Sequence, residues 1–206
     1  MVRHRPLFSA ASALLVLLPV AACGAAPASG YERHQLANFT MDLPADWYED
    51  GDLGIEWSTS DQGLETGIMR APEGEMVIHT IWALSNSEKS ALEWTEEKEG
   101  GTAEAAGSYE RVSLEGREST NWFGPDRSTA LLEFEAVLDE GDYWWIHVDV
   151  EDPHRLVLQK VVKREDTDMA FGIRVSLPVA EAQEHRETAE AIVDSFDMHI
   201  YDDSDV

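Results

Sequence analysis

The chain has 206 residues and is strongly acidic, with 41 Asp and Glu against 15 Lys and Arg and a formal net charge of −26. A field of this sign repels nucleic acid and anionic lipid headgroups, which argues against direct binding of DNA or RNA. The apolar and aromatic content excludes a disordered chain and predicts a domain with a core of its own.

The first 22 residues are predicted to be a signal peptide. Arg3 and Arg5 supply a short positive region, and residues 7–22 are uncharged and mostly Leu, Val and Ala. This length suits a secretory segment with its cleavage site better than a membrane span. The stretch ends in Val-Ala-Ala before Cys23, the only cysteine, and so resembles the bacterial lipobox. An ordinary signal peptide cut nearby is the alternative.

The lipobox interpretation sets the expected layout of the mature chain. Cys23 would carry a diacylglyceryl anchor and hold the protein on the extracytoplasmic face of the cell membrane, since two acyl chains suffice for stable attachment. Residues 23–30 are small and predict a flexible tether. Residues 31–206 form a single predicted domain. With its cysteine lipidated, this domain has no disulfide and must rest on its core.

In chain order, the domain opens with a strand at residues 39–43, where apolar and polar residues alternate until a proline. A longer apolar run at residues 76–84 predicts a second strand. The sequence Ser-Asn-Ser-Glu at residues 85–88 resembles a capping box and predicts a helix that runs to about Lys98. Glycines at residues 100–101 are expected to end it.

Further strands are predicted at residues 109–114, 132–138, 143–150, 156–162 and 171–177. An acidic turn joins the second and third of these into a hairpin. Short turns imply antiparallel pairing, because a parallel crossover needs a dozen or more residues. Two of the strands are apolar on both faces, which indicates that both faces of the sheet are covered.

From residue 179 the apolar period changes to three or four residues and predicts an amphipathic helix. We expect Val193 and Phe196 to face the sheet, with Glu187 and Glu190 in solvent. The predicted fold is therefore α+β, a central and mainly antiparallel sheet with helices packed on its faces.

Two segments resemble the PsbP-like superfamily. Residues 39–47, FTMDLPADW, are similar to its opening strand, Leu-Pro and Trp, and residues 191–196, AIVDSF, resemble its terminal helix with a closing Ser-Phe pair. Within that superfamily the chain resembles small actinobacterial lipoproteins of the LpqN type. The resemblance implies an α/β/α sandwich with a binding or accessory role. It brings no common catalytic motif, and the metal sites of photosynthetic members have no recognisable counterpart here.

Motifs for catalysis or metal binding do not emerge from the sequence. It contains no nucleophile elbow, phosphate loop or paired histidine ligands. The acidic runs at residues 50–54 and 202–205 could hold Ca²⁺ weakly, but they lack the spacing of an EF-hand loop, so no metal or cofactor is expected. His79 and His147 fall within apolar strands and are interpreted as partly buried core residues, whereas His154 is expected to be exposed in a turn.

Trp122, Trp144 and Trp145 are the candidate ligand platform, because an exposed Trp could stack on a sugar ring or cover a partner's apolar patch. The alternative is that they belong to the core. The leading hypothesis is a lipid-anchored, non-enzymatic binding or accessory protein with an unidentified protein or carbohydrate partner. An envelope enzyme with an unrecognised site and a carbohydrate-binding module are the alternatives. The acidity indicates either a solubilising surface, suited to a saline habitat, or a docking face for cations or a basic partner.

Overall fold

The computed structural model describes residues 26–35, 39–48, 56–59, 65–71, 75–84, 89–119, 126–137, 152–164 and 169–198. Two α-helices lie in these ranges, α1 (Ala91–Ala105) and α2 (Ala182–Ser195). The described ranges also contain ten strands, which are β1 (Tyr31–Gln35), β2 (Phe39–Pro44), β3 (Glu56–Thr59), β4 (Glu65–Arg70), β5 (Val77–Leu84), β6 (Ser108–Ser119), β7 (Arg127–Val137), β8 (His154–Arg164), β9 (Met169–Pro178) and β10 (Asp197–Met198). No helix within the described ranges is long and apolar enough to cross a membrane.

The strands form two antiparallel sheets. The larger has seven strands in the order β3-β4-β5-β9-β8-β7-β6, and the smaller joins β1, β2 and β10. Helix α1 packs on one face of the large sheet, against β6, β7 and β8. Helix α2 packs on the opposite face, against β8 and β9, and also contacts β2 of the small sheet. The predicted α+β sandwich is therefore confirmed.

The main core lies between the large sheet, α2 and the small sheet. Strand β8 is buried on both faces, as predicted, because α1 and α2 cover its two sides. From α2 and its C-cap, Ile192, Val193 and Phe196 enter this core with 0%, 4% and 1% exposure. The predicted orientation of Val193 and Phe196 is confirmed, and Glu187 is exposed. Glu190 is only half-exposed and forms an ion pair with Arg186.

The two segments that carry the family resemblance meet in this core. The rings of Phe39 and Phe196 lie 5.3 Å apart between centroids. The Ser195 hydroxyl donates to the carbonyl of Ile192 at 2.7 Å and accepts from the Asp42 backbone N–H at 2.8 Å. The adjacent residues Ser195 and Phe196 therefore end α2 and connect that end to β2, one through hydrogen bonds and the other through its ring.

The other face of the sheet has a more polar interior. Its apolar clusters are small, and α1 buries Thr95, Glu99 and Thr102 beside Ala91 and Trp94. The Glu99 carboxylate, 6% exposed, accepts from the Tyr109 hydroxyl at 2.6 Å and from Arg111. Burial, together with the hydrogen bond to Glu99, raises the pKa of Tyr109.

Both predicted ends of the first helix were wrong. The capping box is formed by Ser90 and Glu93, where the Ser90 hydroxyl accepts from the Glu93 N–H and the Glu93 carboxylate accepts from the Ser90 N–H at 2.8 Å. The predicted box at residues 85–88 lies outside the described residues. The helix also continues through Gly100 and Gly101 to Ala105, because neither glycine adopts the positive φ of a helix stop.

We expect Ser90→Ala to lower the free energy of unfolding by about 1 kcal/mol, the usual cost of losing an N-cap hydroxyl. Urea unfolding of the two proteins measures the difference. Ser90→Asp, which keeps a capping acceptor, should retain most of the stability. Equal losses in both variants would contradict the assigned cap.

The predicted partner of the 132–138 strand was also wrong. Strand β7 pairs with β6 on one side and with β8 on the other, from Arg127↔Arg164 to Val137↔His154. Both of its edges are therefore occupied, and the predicted return strand at residues 143–150 lies outside the described residues. The strand predicted at residues 109–114 is the first half of the longer β6. His154 is exposed as expected, but it begins β8 rather than lying in a turn.

Candidate functional site

The site residues predicted from the sequence are not among those the structure describes. Cys23, the lipidation site, precedes the first described range, and Trp122, Trp144 and Trp145 fall between described ranges. The lipid anchor and the aromatic platform therefore stay predictions. His147 and the two acidic runs also lie outside the described residues. His79 is half-buried in β5.

Beyond the reach of α2, the large sheet leaves part of one face open. Alternate residues of β7 are buried under α1, while the residues between them point to the α2 side and are only partly covered. The matching residues of β6 are exposed. We call this region the open face and define it by Glu110, Ser113, Glu115 and Arg117 of β6 with Leu131, Glu133 and Glu135 of β7.

A cleft of about 230 Å³ lies where the open face meets α2. Its apolar lining comes from Leu131, Leu158 and Val193. Its polar lining comes mainly from the open face on one side and from Glu190 and Asp194 of α2 on the other. The cleft lies beyond the main contacts of α2, which are with β2, β8 and β9. An apolar floor with charged walls suits a ligand that has an aliphatic stem and a charged end.

Arg186 links the helix to the open face at this cleft. Its guanidinium donates to Glu190 at 2.7 Å, one helical turn away, and to Glu133 of β7 at 2.9 Å. These hydrogen bonds to Glu190 and Glu133 raise the pKa of Arg186. The Glu133 side chain is mostly covered, at 14% exposure, and its negative charge is paired with the Arg186 guanidinium.

Lys160 lies at the C-terminal end of α2, beside the cleft. Its ammonium donates to the Asp194 carbonyl at 2.7 Å, a place where the helix dipole favours positive charge. Burial lowers the pKa of Lys160, and the nearby carboxylates of Asp194 and Asp197 oppose that shift. The Lys160 ammonium therefore caps the C-terminal end of α2, and it already has a hydrogen-bond partner within the domain.

Carboxylates outnumber cations on the open face. Glu110 and Glu135 stand directly opposite each other on β6 and β7, an arrangement that costs free energy because like charges repel. His154 approaches Glu135 at 3.7 Å. Glu115 has Arg117 at 3.3 Å, but both side chains are more than 60% exposed, so the pair is weak and exchangeable. The open face therefore carries four carboxylates and one guanidinium.

Comparison with known proteins identifies the architecture. No protein-family profile and no curated protein sequence matches the chain. Among solved structures, cyanobacterial PsbP (CyanoP) from Synechocystis sp. PCC 6803 matches with a TM-score of 0.52 and 13% identity. The match covers 88% of this chain and 99% of CyanoP. The chain has a PsbP-like fold. At this identity the likeness concerns the fold alone.

Two other solved structures match with lower TM-scores. The Ran-binding protein Mog1p of Saccharomyces cerevisiae gives 0.43 at 13% identity and covers 81% of this chain and 94% of Mog1p. A protein of unknown function from Pseudomonas aeruginosa gives 0.39 at 12% identity, with coverages of 78% and 91%.

The chemistry that this PsbP-like fold offers at the cleft is recognition of charge. Ser113 is the one hydroxyl nucleophile among the cleft residues that the structure describes, and no histidine lies beside it there. Within the described ranges, no three His, Cys, Asp or Glu side chains are placed to hold a metal ion. The ionic groups on the α2 side of the cleft bind one another, and those on the β6 side stay exposed to solvent.

Sequence reasoning missed the open face, although part of the signal was present. In β7, Glu133 and Glu135 alternate with Leu132 and Phe134, and this period was used only to predict a strand. It also indicated that one side of the strand is polar. The missing information was the position of α2 across the sheet, which determines whether that polar side is covered.

Proposed function

We propose that the chain is a lipid-anchored, extracytoplasmic binding or accessory protein of the LpqN type, without catalytic activity of its own. Its location would be the cell membrane, on the outer side, with Cys23 as the lipid-bearing residue. The membrane is one partner through the anchor, and the other is a ligand bound by the domain.

The observation that carries the binding role is the open face with its cleft. The charged groups there are arranged as mutual pairs and exposed carboxylates around an apolar floor of Leu131, Leu158 and Val193. Such a surface can hold a complementary group by charge and by apolar contact. A catalytic site would instead need a nucleophile or acid oriented by a base. The geometry therefore supports binding better than turnover.

The anchor is supported by the sequence around Cys23 and by the short distance to the first strand. Tyr31, the first residue of β1, lies eight positions after Cys23. At ~3.5 Å per residue this tether reaches at most ~28 Å. Near its end, Gly30 adopts a φ of +86° and its carbonyl accepts from the Ala45 N–H at 2.9 Å. The domain would thus be held close to the membrane surface.

The test of the anchor is the variant Cys23→Ser. We expect it to lose acyl label and membrane retention, and to accumulate as unprocessed precursor or as a soluble secreted product, because no thiol remains for lipidation. Metabolic acyl labelling and membrane fractionation in a bacterial host with lipoprotein processing measure both effects. Ser29→Ala, in the same tether, is the matched control and should keep label and retention. Retention and labelling of Cys23→Ser would refute the lipobox.

A further inference from the structure

We infer that the outer edge of β6 is a docking edge for a basic, extended segment of a partner protein, which adds a strand beside β6 and lays Lys or Arg side chains on the open face. The inference rests on the proposed binding role and names its partner class. The recognised chemistry is an extended polypeptide with positive charges on alternate residues.

The first support is the edge itself. Strand β6 spans twelve residues and ends the seven-stranded sheet, so among the described strands only β7 pairs with it. Edge strands of this length are usually protected, because their free N–H and C=O groups recruit other chains. The protection here is partial. A β-bulge between Arg111 and Ser113 directs the Val112 side chain toward solvent, where it is 53% exposed, and interrupts the regular edge at that point. From Ser113 to Ser119 the pairing with β7 is regular, so this part of the edge has no such protection.

The second support is charge complementarity. A strand added at this edge directs alternate side chains to the same side as Ser113, Glu115 and Arg117, because neighbouring strands share the orientation of opposed residues. That side is the open face, with its surplus of carboxylates. Basic side chains placed there would relieve the repulsion between Glu110 and Glu135 and compete with Arg117 for Glu115. An acidic segment would add to that repulsion.

The third support is the adjoining cleft. Its floor of Leu131, Leu158 and Val193 begins next to Glu115 of β6. Lysine and arginine carry aliphatic stems that cover apolar surface while the charged end stays with its partner. A basic side chain that crosses β6 can therefore lay its stem toward Leu131, at the β6 side of the floor, and place its charge beside Glu115. Recognition by main-chain pairing with pockets for alternate side chains is the usual form of strand addition.

A second copy of this chain fits the same edge poorly. Each copy has a formal charge of −26, so two copies repel strongly unless salt screens them. The open faces of both copies would bring further carboxylates toward the shared edge. A basic partner is attracted by the same field, which also accelerates its encounter.

Synthetic peptides test the inference on the full chain, purified in an uncharged detergent from whichever fraction, membrane or soluble, contains it. The probe is a capped peptide of about nine residues in which Lys and Thr alternate, since this pattern places every charge on one face of a strand. One control alternates Glu and Thr. The second control replaces every Thr of the probe with Pro, which keeps the charges but favours polyproline II, a conformation in which alternate side chains do not share one face and strand pairing is lost. Titration calorimetry at ~0.01 M and ~0.1 M salt gives the affinities.

We expect saturable binding of the Lys-Thr peptide, none of the Glu-Thr peptide, and binding of the Pro peptide weakened about tenfold. The double variant Glu110→Lys/Glu115→Lys should weaken the Lys-Thr peptide by about tenfold or more, because two attractive groups become repulsive. The matched control is Glu96→Lys/Glu104→Lys, which changes the net charge equally on exposed residues of α1, on the opposite face. It should change the affinity by about threefold or less, through the long-range field alone.

Hydrogen exchange locates the bound peptide. Backbone amides of Ser113–Ser119 should exchange more slowly in the complex, while those of α1 should not change. Equal weakening by the two double variants, equal affinity of the Lys-Thr and Pro peptides, or no protection in β6 would each overturn the docking edge. Melting temperatures of both variants confirm that they remain folded. Acyl labelling at Cys23 is measured separately, so failure of the docking edge leaves the anchor standing, and failure of the anchor leaves the docking edge standing.

Discussion

Ile192→Asp is expected to lower the free energy of unfolding by about 3–5 kcal/mol, a large part of the stability of an ordinary domain. Ile192 is fully buried in the main core, where it lies with Ala189, Phe196 and the strands of the large sheet. An aspartate there must bury a carboxylate without a partner or pull α2 away from the sheet. Either outcome removes the contact that closes the core.

Thermal and urea unfolding measure this effect, with Glu187→Ala as the matched control on the exposed side of α2. Glu187→Ala should change the stability by about 0.5 kcal/mol or less. Val193→Asp should fall between the two, because Val193 also lines the cleft and a carboxylate there can reach solvent. If Ile192→Asp and Glu187→Ala melt at the same temperature, the assigned orientation of α2 is wrong.

The elements that could be predicted from the sequence are those whose burial leaves a strong period. Strand β2 alternates until Pro44, and the two central strands β8 and β9 are apolar runs. Helix α2 has apolar residues every three or four positions because one side of it covers the main core. The period of α2 follows from the difference in burial between its two sides, and the apolar runs of β8 and β9 follow from burial on both faces of the sheet.

Helix α1 was harder to predict because most of its buried residues are polar. Two Ser-x-x-Glu sequences stand close together before it, and either fits a capping box. The structure selects Ser90, and the Ala91 N–H then donates to the Ser128 hydroxyl of β7 at 2.8 Å. The choice depends on a residue far along the chain. The same holds at the other end, where the Gly107 N–H donates to the Val137 carbonyl.

The candidate site shows a similar limit. A polar side of β7 could be predicted from Glu133 and Glu135, but its exposure depends on where α2 lies across the sheet. That position is set by contacts with β2, β8 and β9, which are distant in the sequence. The pairing of β6 with β7, which places Glu110 opposite Glu135, is equally non-local. The sequence therefore showed that β7 has a charged side, but it did not show which carboxylates of β6 and β7 lie next to each other.

Glu75→Ala is expected to cost about 3 kcal/mol, because it removes the carboxylate partner of a buried guanidinium. Arg155 of β8 has no exposed side-chain surface and bonds the Glu75 carboxylate at 3.1 Å. Its guanidinium also donates to the carbonyls of Glu75 and Ser176. Burial lowers the pKa of Arg155, and the charge of Glu75 opposes that shift more than those of Asp152 and Glu181. The Glu75 carboxylate also accepts from the Asp152 N–H at 3.2 Å.

The comparison for this prediction is Glu115→Ala, which breaks the exposed pair with Arg117 and should cost about 0.5 kcal/mol or less. Urea unfolding of both variants separates a buried pair from an exposed one. In an Arg155→Met background, Glu75→Ala should cost less than about half as much, because no guanidinium is then left without its carboxylate. A cost that is unchanged in that background would show that Glu75 acts through the backbone near Asp152, and the ion pair would not be the source of the stability.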